Sequence, residues 1–194
     1  MRKTLLRSAF VVAVVLLPFG VHLLYQSMTG LPQEVTIASG PQGGRYGQIA
    51  ASLAEHVELQ TGVSVKVIPT AGSLENLQLL DAGTVQFCLY QPQSEQFLHA
   101  PTAGSHTHAA FVANVYTEIV HFVVRRGIAI DGSETLAGKR VSVGLQGSGD
   151  YAMSRLLLEH FGLDENDIEP AYLTYDQIKS RFADGSLDAA CLTI

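Results

Sequence analysis

Residues Glu34–Tyr90 read EVTIASGPQGGRYGQIAASLAEHVELQTGVSVKVIPTAGSLENLQLLDAGTVQFCLY. Glu34–Ser39 is a strand-like run, and a Gly-rich turn follows it. Ile49, Leu53 and Val57 then recur at i, i+4 and i+8, which predicts a helix burying that face. Val63–Ile68 is the next strand. Pro69-Thr70-Ala71-Gly72-Ser73 opens a second helix, with Ser73 as its expected N-cap, running through Leu80 and stopping near Gly83. Val85–Tyr90 is a third strand. Strands separated by helical segments of this length indicate βαβ units and a mostly parallel sheet.

The same rhythm returns nearer the C-terminus. After a loop over Leu98–Ala109, two apolar runs appear, Ala110–Tyr116 and Ile119–Arg125. Arg140–Gly144 is then a strand, Leu145–Gly149 a Gly turn, and Tyr151–Phe161 a helix expected to bury Met153, Leu157 and Phe161, with Gly162 as its C′ residue. Glu169–Thr174, Tyr175–Ala183 and Asp188–Thr193 add a strand, a helix and a last strand. The reading is two α/β lobes, residues 31–125 and 126–194, the second apparently truncated because no helix covers its final strand.

Ahead of the lobes, residues 1–30 have a different character. Arg2, Lys3 and Arg7 precede an apolar run over Ser8–Leu24. That layout suits either a cleaved export signal or an uncleaved membrane anchor, and both remain open. Either one places the remainder outside the cytoplasm. No cysteine near the end of the run supports lipid attachment.

Charge narrows the partners. The chain has 12 basic and 18 acidic residues, and three of the basic ones precede the first acid, Glu34. The body therefore lacks the basic footprint of a nucleic-acid binder. Only 15% of residues are charged and 47% are hydrophobic, which excludes disorder and coiled coil. Cys88 and Cys191 lie in apolar strand-like runs; they read as two buried thiols or, in an exported chain, as one bridge.

Polar chemistry concentrates where strands pass into helices. Three such turns are Ser39-Gly40-Pro41-Gln42-Gly43-Gly44, Thr70-Ala71-Gly72-Ser73 and Gly147-Ser148-Gly149. Free backbone N–H groups and a positive helix end converge there, so three turns split between two lobes suggest a small anion held in a cleft. Gly40, Gly43, Gly44 and Gly47 lack the GxGxxG spacing, and no P-loop occurs. Ser148 lies in QGSGD, outside the nucleophile-elbow pattern. His99, His106 and His108 form a loop group that reads as solvated or, less simply, as a metal chelate. No paired carboxylates for acid–base work are evident, so neither an enzyme nor a cofactor is expected.

Five ordered motifs carry a family resemblance: GPQGGRYG, PTAGSLENLQLLDAGTVQFCLYQ, NVYTEIVHFVVR, LAGKRVSVGLQGSGDY and LTYDQIKSRFADGSLDAA. Together they closely resemble the TAXI family, the extracytoplasmic solute-binding components of TRAP transporters. The resemblance covers residues 34–194 and implies a two-lobed type II periplasmic binding protein fold. It implies a small carboxylate ligand, similar to glutamate or 2-oxoglutarate, and a TRAP membrane subunit as partner. It also implies ligand contacts from Gly43, Gly44 and Tyr46, then Thr70, Gly72, Ser73 and Asn76, then Gln91, Tyr116, Gly147, Ser148 and Gly149. Arg45 would add a carboxylate contact if it points inward and is surface otherwise. Asp150 stands where the family usually has Thr and would oppose a second carboxylate. A membrane-anchored sensor without a transport role is the alternative that the same motifs allow.

Overall fold

The computed structural model describes residues 14, 16–25, 30–97, 109–129 and 135–194. Arg2, Lys3, Arg7, His99, His106 and His108 lie outside the described residues, so the loop-chelate reading does too. Residues 16–25 are helical and exposed. Among the described residues, no helix is long and apolar enough to cross a membrane.

The first sheet holds β1 (Glu34–Ala38), β2 (Ser64–Ile68) and β3 (Phe87–Cys88) in the order β2-β1-β3, all parallel. Helix α1 (Arg45–Thr61) joins β1 to β2, and α2 (Ser73–Asp81) joins β2 to β3. A 3₁₀ turn, Pro92–Phe97, follows. The second sheet holds β4 (Val120–Val124), β5 (Arg140–Ser142), β6 (Glu169–Ala171) and β7 (Ala189–Thr193) in the order β4-β7-β5-β6. Helix α3 (Gly149–His160) joins β5 to β6, and α4 (Tyr175–Ala183) joins β6 to β7. Here β5 is parallel to both neighbours, while the edge strand β4 runs antiparallel to β7.

Several elements differ from their sequence-based expectation, each for a local reason. β3 is shorter than Val85–Tyr90. Gln86 Oε1 takes the Thr36 N–H at 2.9 Å and its hydroxyl at 2.8 Å, so a side chain occupies a ladder position. Helix α1 buries Ala50 and Ala54, while Leu53 is 41% and Val57 37% exposed. Its two small residues let it sit close on the sheet, and Ile49 packs only at the margin of the Ile37–Ala50–Leu89 core. Helix α3 is likewise rotated: Ala152 and Leu158 are buried, Met153 and Leu157 are half-buried, and Phe161 is exposed. Gly162 does end that helix, at φ 71°, with its N–H donating to Glu159 O at 2.9 Å.

The second lobe is braced by charge as well as packing. Asp188 accepts from Arg125 at 2.9 Å and from Arg140 Nε and Nη2 at 2.8 and 2.7 Å. These donors hold its carboxyl well below the usual carboxylate range. Thr174 and Gln177 form a reciprocal capping box at the start of α4. Cys88 and Cys191 are free thiols in different sheets. Burial pushes Cys88 up to about 11 and raises Cys191 as well.

Candidate functional site

The first Gly-rich turn faces outward at its tip. Gly44 N–H donates to Pro41 O at 3.0 Å, and Gly44 is the N-cap of α1. Gly43, at φ 78°, is exposed and would meet nothing within 4 Å if it carried a Cβ. Arg45 is also exposed, its guanidinium carbon 5.3 Å from the centre of the Tyr116 ring. Tyr46 meets the same ring edge-on, with centroids 6.3 Å apart and planes at 80°. Tyr116 therefore lies between Arg45 and Tyr46.

The second turn is held from within. Asn76 is fully buried and donates to Ser39 O and Leu89 O, both at 2.6 Å, while its Oδ1 accepts from Thr70 Oγ1 at 2.5 Å. One amide thus ties the ends of β1 and β3 to the turn between β2 and α2, and its donors are used up. Ser73 is the first helical residue rather than the cap; Gly72, at φ 133°, takes the cap position. The N–H groups that a cap at Ser73 would serve find other acceptors: Glu75 N–H donates to Gly147 O at 3.0 Å and Asn76 N–H to Gly72 O at 2.9 Å. Glu75 Oε2 accepts from Ala71 N–H at 2.6 Å, and Thr70 Oγ1 accepts from Gly72 N–H at 3.2 Å. Ser73 Oγ instead accepts from Gln91 N–H at 3.0 Å.

The third turn lands directly on the second. Gly147 O accepts from Glu75 N–H at 3.0 Å, in the first turn of α2. A Cβ on Gly72 would lie 3.2 Å from Ser148 Cα, and one on Gly149 would lie 2.1 Å from Gln91 Oε1 and 2.8 Å from Ser73 Oγ. Ser148 Oγ caps α3 by accepting Tyr151 N–H at 3.0 Å. Gly72, Ser73 and Gln91 of the first lobe thus meet Gly147, Ser148 and Gly149 of the second. The structure does not bring Gly43, Gly44 or Arg45 to that junction.

Beside it stands a group in which the resemblance singles out Tyr46, Tyr116 and Asp150 but not Glu118 or Tyr175. Tyr116 donates its hydroxyl to Glu118. Tyr46 lies close enough to Ser73 and Glu118 for both to act on its phenol. Asp150 Oδ1 accepts Thr193 N–H at 2.9 Å, and Tyr175 donates to Thr193 O at 2.8 Å. Burial first, then nearby carboxylate charge, raises the Tyr46 and Tyr175 phenols, and burial followed by the Glu118 hydrogen bond raises Tyr116. Burial also raises the Asp150 carboxyl against the lowering effect of its hydrogen bonds. Glu118 stands alone in the apolar stretch NVYTEIV, and an acid in such company was the available signal.

A surface groove of about 630 Å³ runs along the exposed side of α1, lined by Arg45, Ile49, Leu53, His56, Val115 and Tyr116 among others. It is the place of the apolar stripe that α1 leaves uncovered, and it is separate from the meeting of the turns. Among the described residues, no three His, Cys, Asp or Glu side chains are grouped to hold a metal ion.

Residues 37–193 match the sequence model of the NMT1-like family. The chain belongs to the NMT1-like family. Its fold is shared with solved binding proteins of low sequence identity. The alkanesulfonate-binding protein SsuA from Xanthomonas axonopodis pv. citri, bound to MOPS, is 21% identical with a TM-score of 0.58; the match covers 84% of this chain and 55% of that one. PhnD1 from Prochlorococcus marinus, in complex with methylphosphonate, is 14% identical with a TM-score of 0.54, covering 84% and 64%. The periplasmic aliphatic sulphonate binding protein SsuA from Escherichia coli is 21% identical with a TM-score of 0.50, covering 84% and 51%. This NMT1-like chain has their two-lobed α/β architecture and spans about half the length of the SsuA structures it matches.

Proposed function

We propose that this NMT1-like chain captures a small organic solute between its lobes, outside the cytoplasm, and presents it to a membrane transporter. The observation that carries the reading is the convergence of the Gly72-Ser73 and Gly147-Ser148-Gly149 turns, one from each lobe, with Gln91 between them. Both turns open helices, so parting the lobes would leave backbone N–H groups of α2 and α3 facing one space. In the closed arrangement Gly147 O already takes one of them, and a ligand oxygen would replace it.

The five motifs shared with TAXI proteins support a TRAP-type transporter as partner and a small carboxylate as the solute. The Ser8–Leu24 run supports export, by a cleaved signal or as an anchor. Isothermal titration calorimetry of the full chain with glutamate and 2-oxoglutarate tests the reading. Saturable binding that is lost in Ser73→Ala is the expected result. Binding that persists unchanged in that variant would move the ligand away from the turns.

A further inference from the structure

One short segment of the first lobe is attached to the second at two points. The 3₁₀ turn Pro92–Phe97 packs against both α2 and α3. Its near end is fixed at the junction of the turns. Gln91 N–H donates to Ser73 Oγ and Ser94 N–H donates to Gln91 O, both at 3.0 Å, while the Gln91 carboxamide lies against the backbone of Gly149. Ser94, midway along, is fully buried. At the far end the Phe97 ring meets the guanidinium of Arg155, whose carbon is 4.7 Å from the ring centre. Gln91 to Phe97 and Gly149 to Arg155 are both six positions apart. A 3₁₀ segment of that length spans about 12 Å and an α-helical one about 9 Å, so the turn runs beside the opening of α3 and touches it at both ends.

The far attachment is built to release. Arg155 is seated on its own lobe by Glu165, 3.9 Å from its Nε, and by the ring of Tyr151, 5.8 Å from its guanidinium carbon. Glu165 is itself fixed by the hydroxyls of Tyr151 and Tyr172 at 2.7 and 2.6 Å. The guanidinium is thus placed in advance on the second lobe and reaches across through the face of Phe97. Its side chain is 47% exposed. A cation over an aromatic face at such a site shifts an equilibrium by about two- to fivefold, enough to bias the lobes and too little to lock them. The state it favours is the one in which Gly147 O takes Glu75 N–H, so that the protein's own carbonyl fills the place offered to a ligand oxygen.

We propose that the Pro92–Phe97 turn is a clasp that holds the empty protein shut, with the Phe97–Arg155 contact as its releasable end, and that this self-closure slows the entry of solute. The effect on solute entry rests on the solute-binding reading above; the clasp itself does not. A ligand that binds only the parted lobes associates in proportion to the parted fraction, so weakening the clasp speeds association by the factor that it enlarges that fraction. Arg155 acts here as a positioning residue, through Phe97 and the turn, without touching the solute.

The test is amide hydrogen exchange of the full chain without solute, read at Glu75, whose N–H is bonded across the lobes to Gly147 O, and at Val143, whose N–H is bonded within the second lobe to Ala171 O. Phe97→Leu, which keeps apolar bulk but no aromatic face, and Arg155→Gln should each speed exchange at Glu75 about two- to fivefold and leave Val143 unchanged. Phe97→Tyr keeps the face and should behave as the natural chain; either of the first two variants covers for the other if one folds poorly. Unchanged exchange at Glu75 in both, or an equal rise at Val143, overturns the clasp. Stopped-flow association of glutamate and 2-oxoglutarate then reads the consequence: rates raised by the same factor support it, and rates unmoved while Glu75 exchanges faster overturn the slowing of solute entry. Faster exchange at Glu75 with no binding of either solute overturns the solute-binding reading and leaves the clasp standing.

Discussion

The carboxamide oxygen of Gln91 lies so close to the backbone of Gly149 that a Cβ added there would sit 2.1 Å from it. The two residues belong to different lobes, so this contact sets how nearly the lobes can approach. Gly149→Ala must therefore displace Gln91 or part the lobes. The expected result is a larger radius of gyration by small-angle X-ray scattering and at least tenfold weaker solute binding, with the secondary structure unchanged by circular dichroism. Gln91→Ala in the same background removes the obstruction and should restore the compact form.

Asn76 is the post on which the first lobe's turns hang. Asn76→Ala strands Ser39 O and Leu89 O inside the protein without donors. Each buried group left unsatisfied costs about 1–3 kcal/mol, so the variant should lose roughly 3 kcal/mol of stability in urea titration. A loss confined to solute binding, at unchanged stability, would assign Asn76 to the ligand instead.

Two aspartates should respond to pH with opposite sign. Asp188 has its carboxyl lowered by Arg140 and Arg125, so its ionised form stabilises the fold. That contribution is present above the unfolded pKa and is lost as pH falls through the folded one. Asp188→Asn should lower Tm near pH 7, with the difference closing in acid. Asp150 has its carboxyl raised by burial, so the folded state holds its proton longer than the unfolded chain does. Stability is then lost as pH rises through the folded pKa, and Asp150→Asn should raise Tm near neutrality, with the gain fading towards acid. Paired thermal melts across that range check both signs.

Neither thiol should behave as a reactive one. Burial pushes Cys88 up to about 11, so at neutral pH the thiolate fraction is on the order of 10⁻⁴. Iodoacetamide labelling of the native chain should be slow at both Cys88 and Cys191 and should become fast in denaturant. Rapid labelling of Cys191 in the native state would contradict its burial in β7.

The alternation of strands and helices was legible because Gly-rich turns punctuate it and the apolar runs are short. The buried face of α1 was not: periodicity favours large side chains, and Ile49, Leu53 and Val57 hid the fact that Ala50 and Ala54 allow the closer approach. The same weighting misplaced the face of α3, where Ala152 plays that part. At the site, the Thr70–Ser73 and Gly147–Gly149 turns were visible as helix openings. Their mutual contact was not, because it joins residues far apart in sequence through backbone atoms that carry no side-chain signature. The resemblance names Asn76 as a ligand group, and in the fold its two amide donors are engaged by Ser39 O and Leu89 O. Glu118 escaped because a lone acid matches no motif, and only the pairing of Ile119 with Ile194 reveals what it faces.

Hydrogen exchange of the full chain, with and without glutamate, tests most directly whether solute is held between the lobes. The account predicts slowed exchange at the amides opening α2, Ser73–Asn76, and at those opening α3, Gly149–Ala152, at the same solute concentration. Protection in one lobe alone, or along Ile49–His56 beside the outer groove, would contradict it.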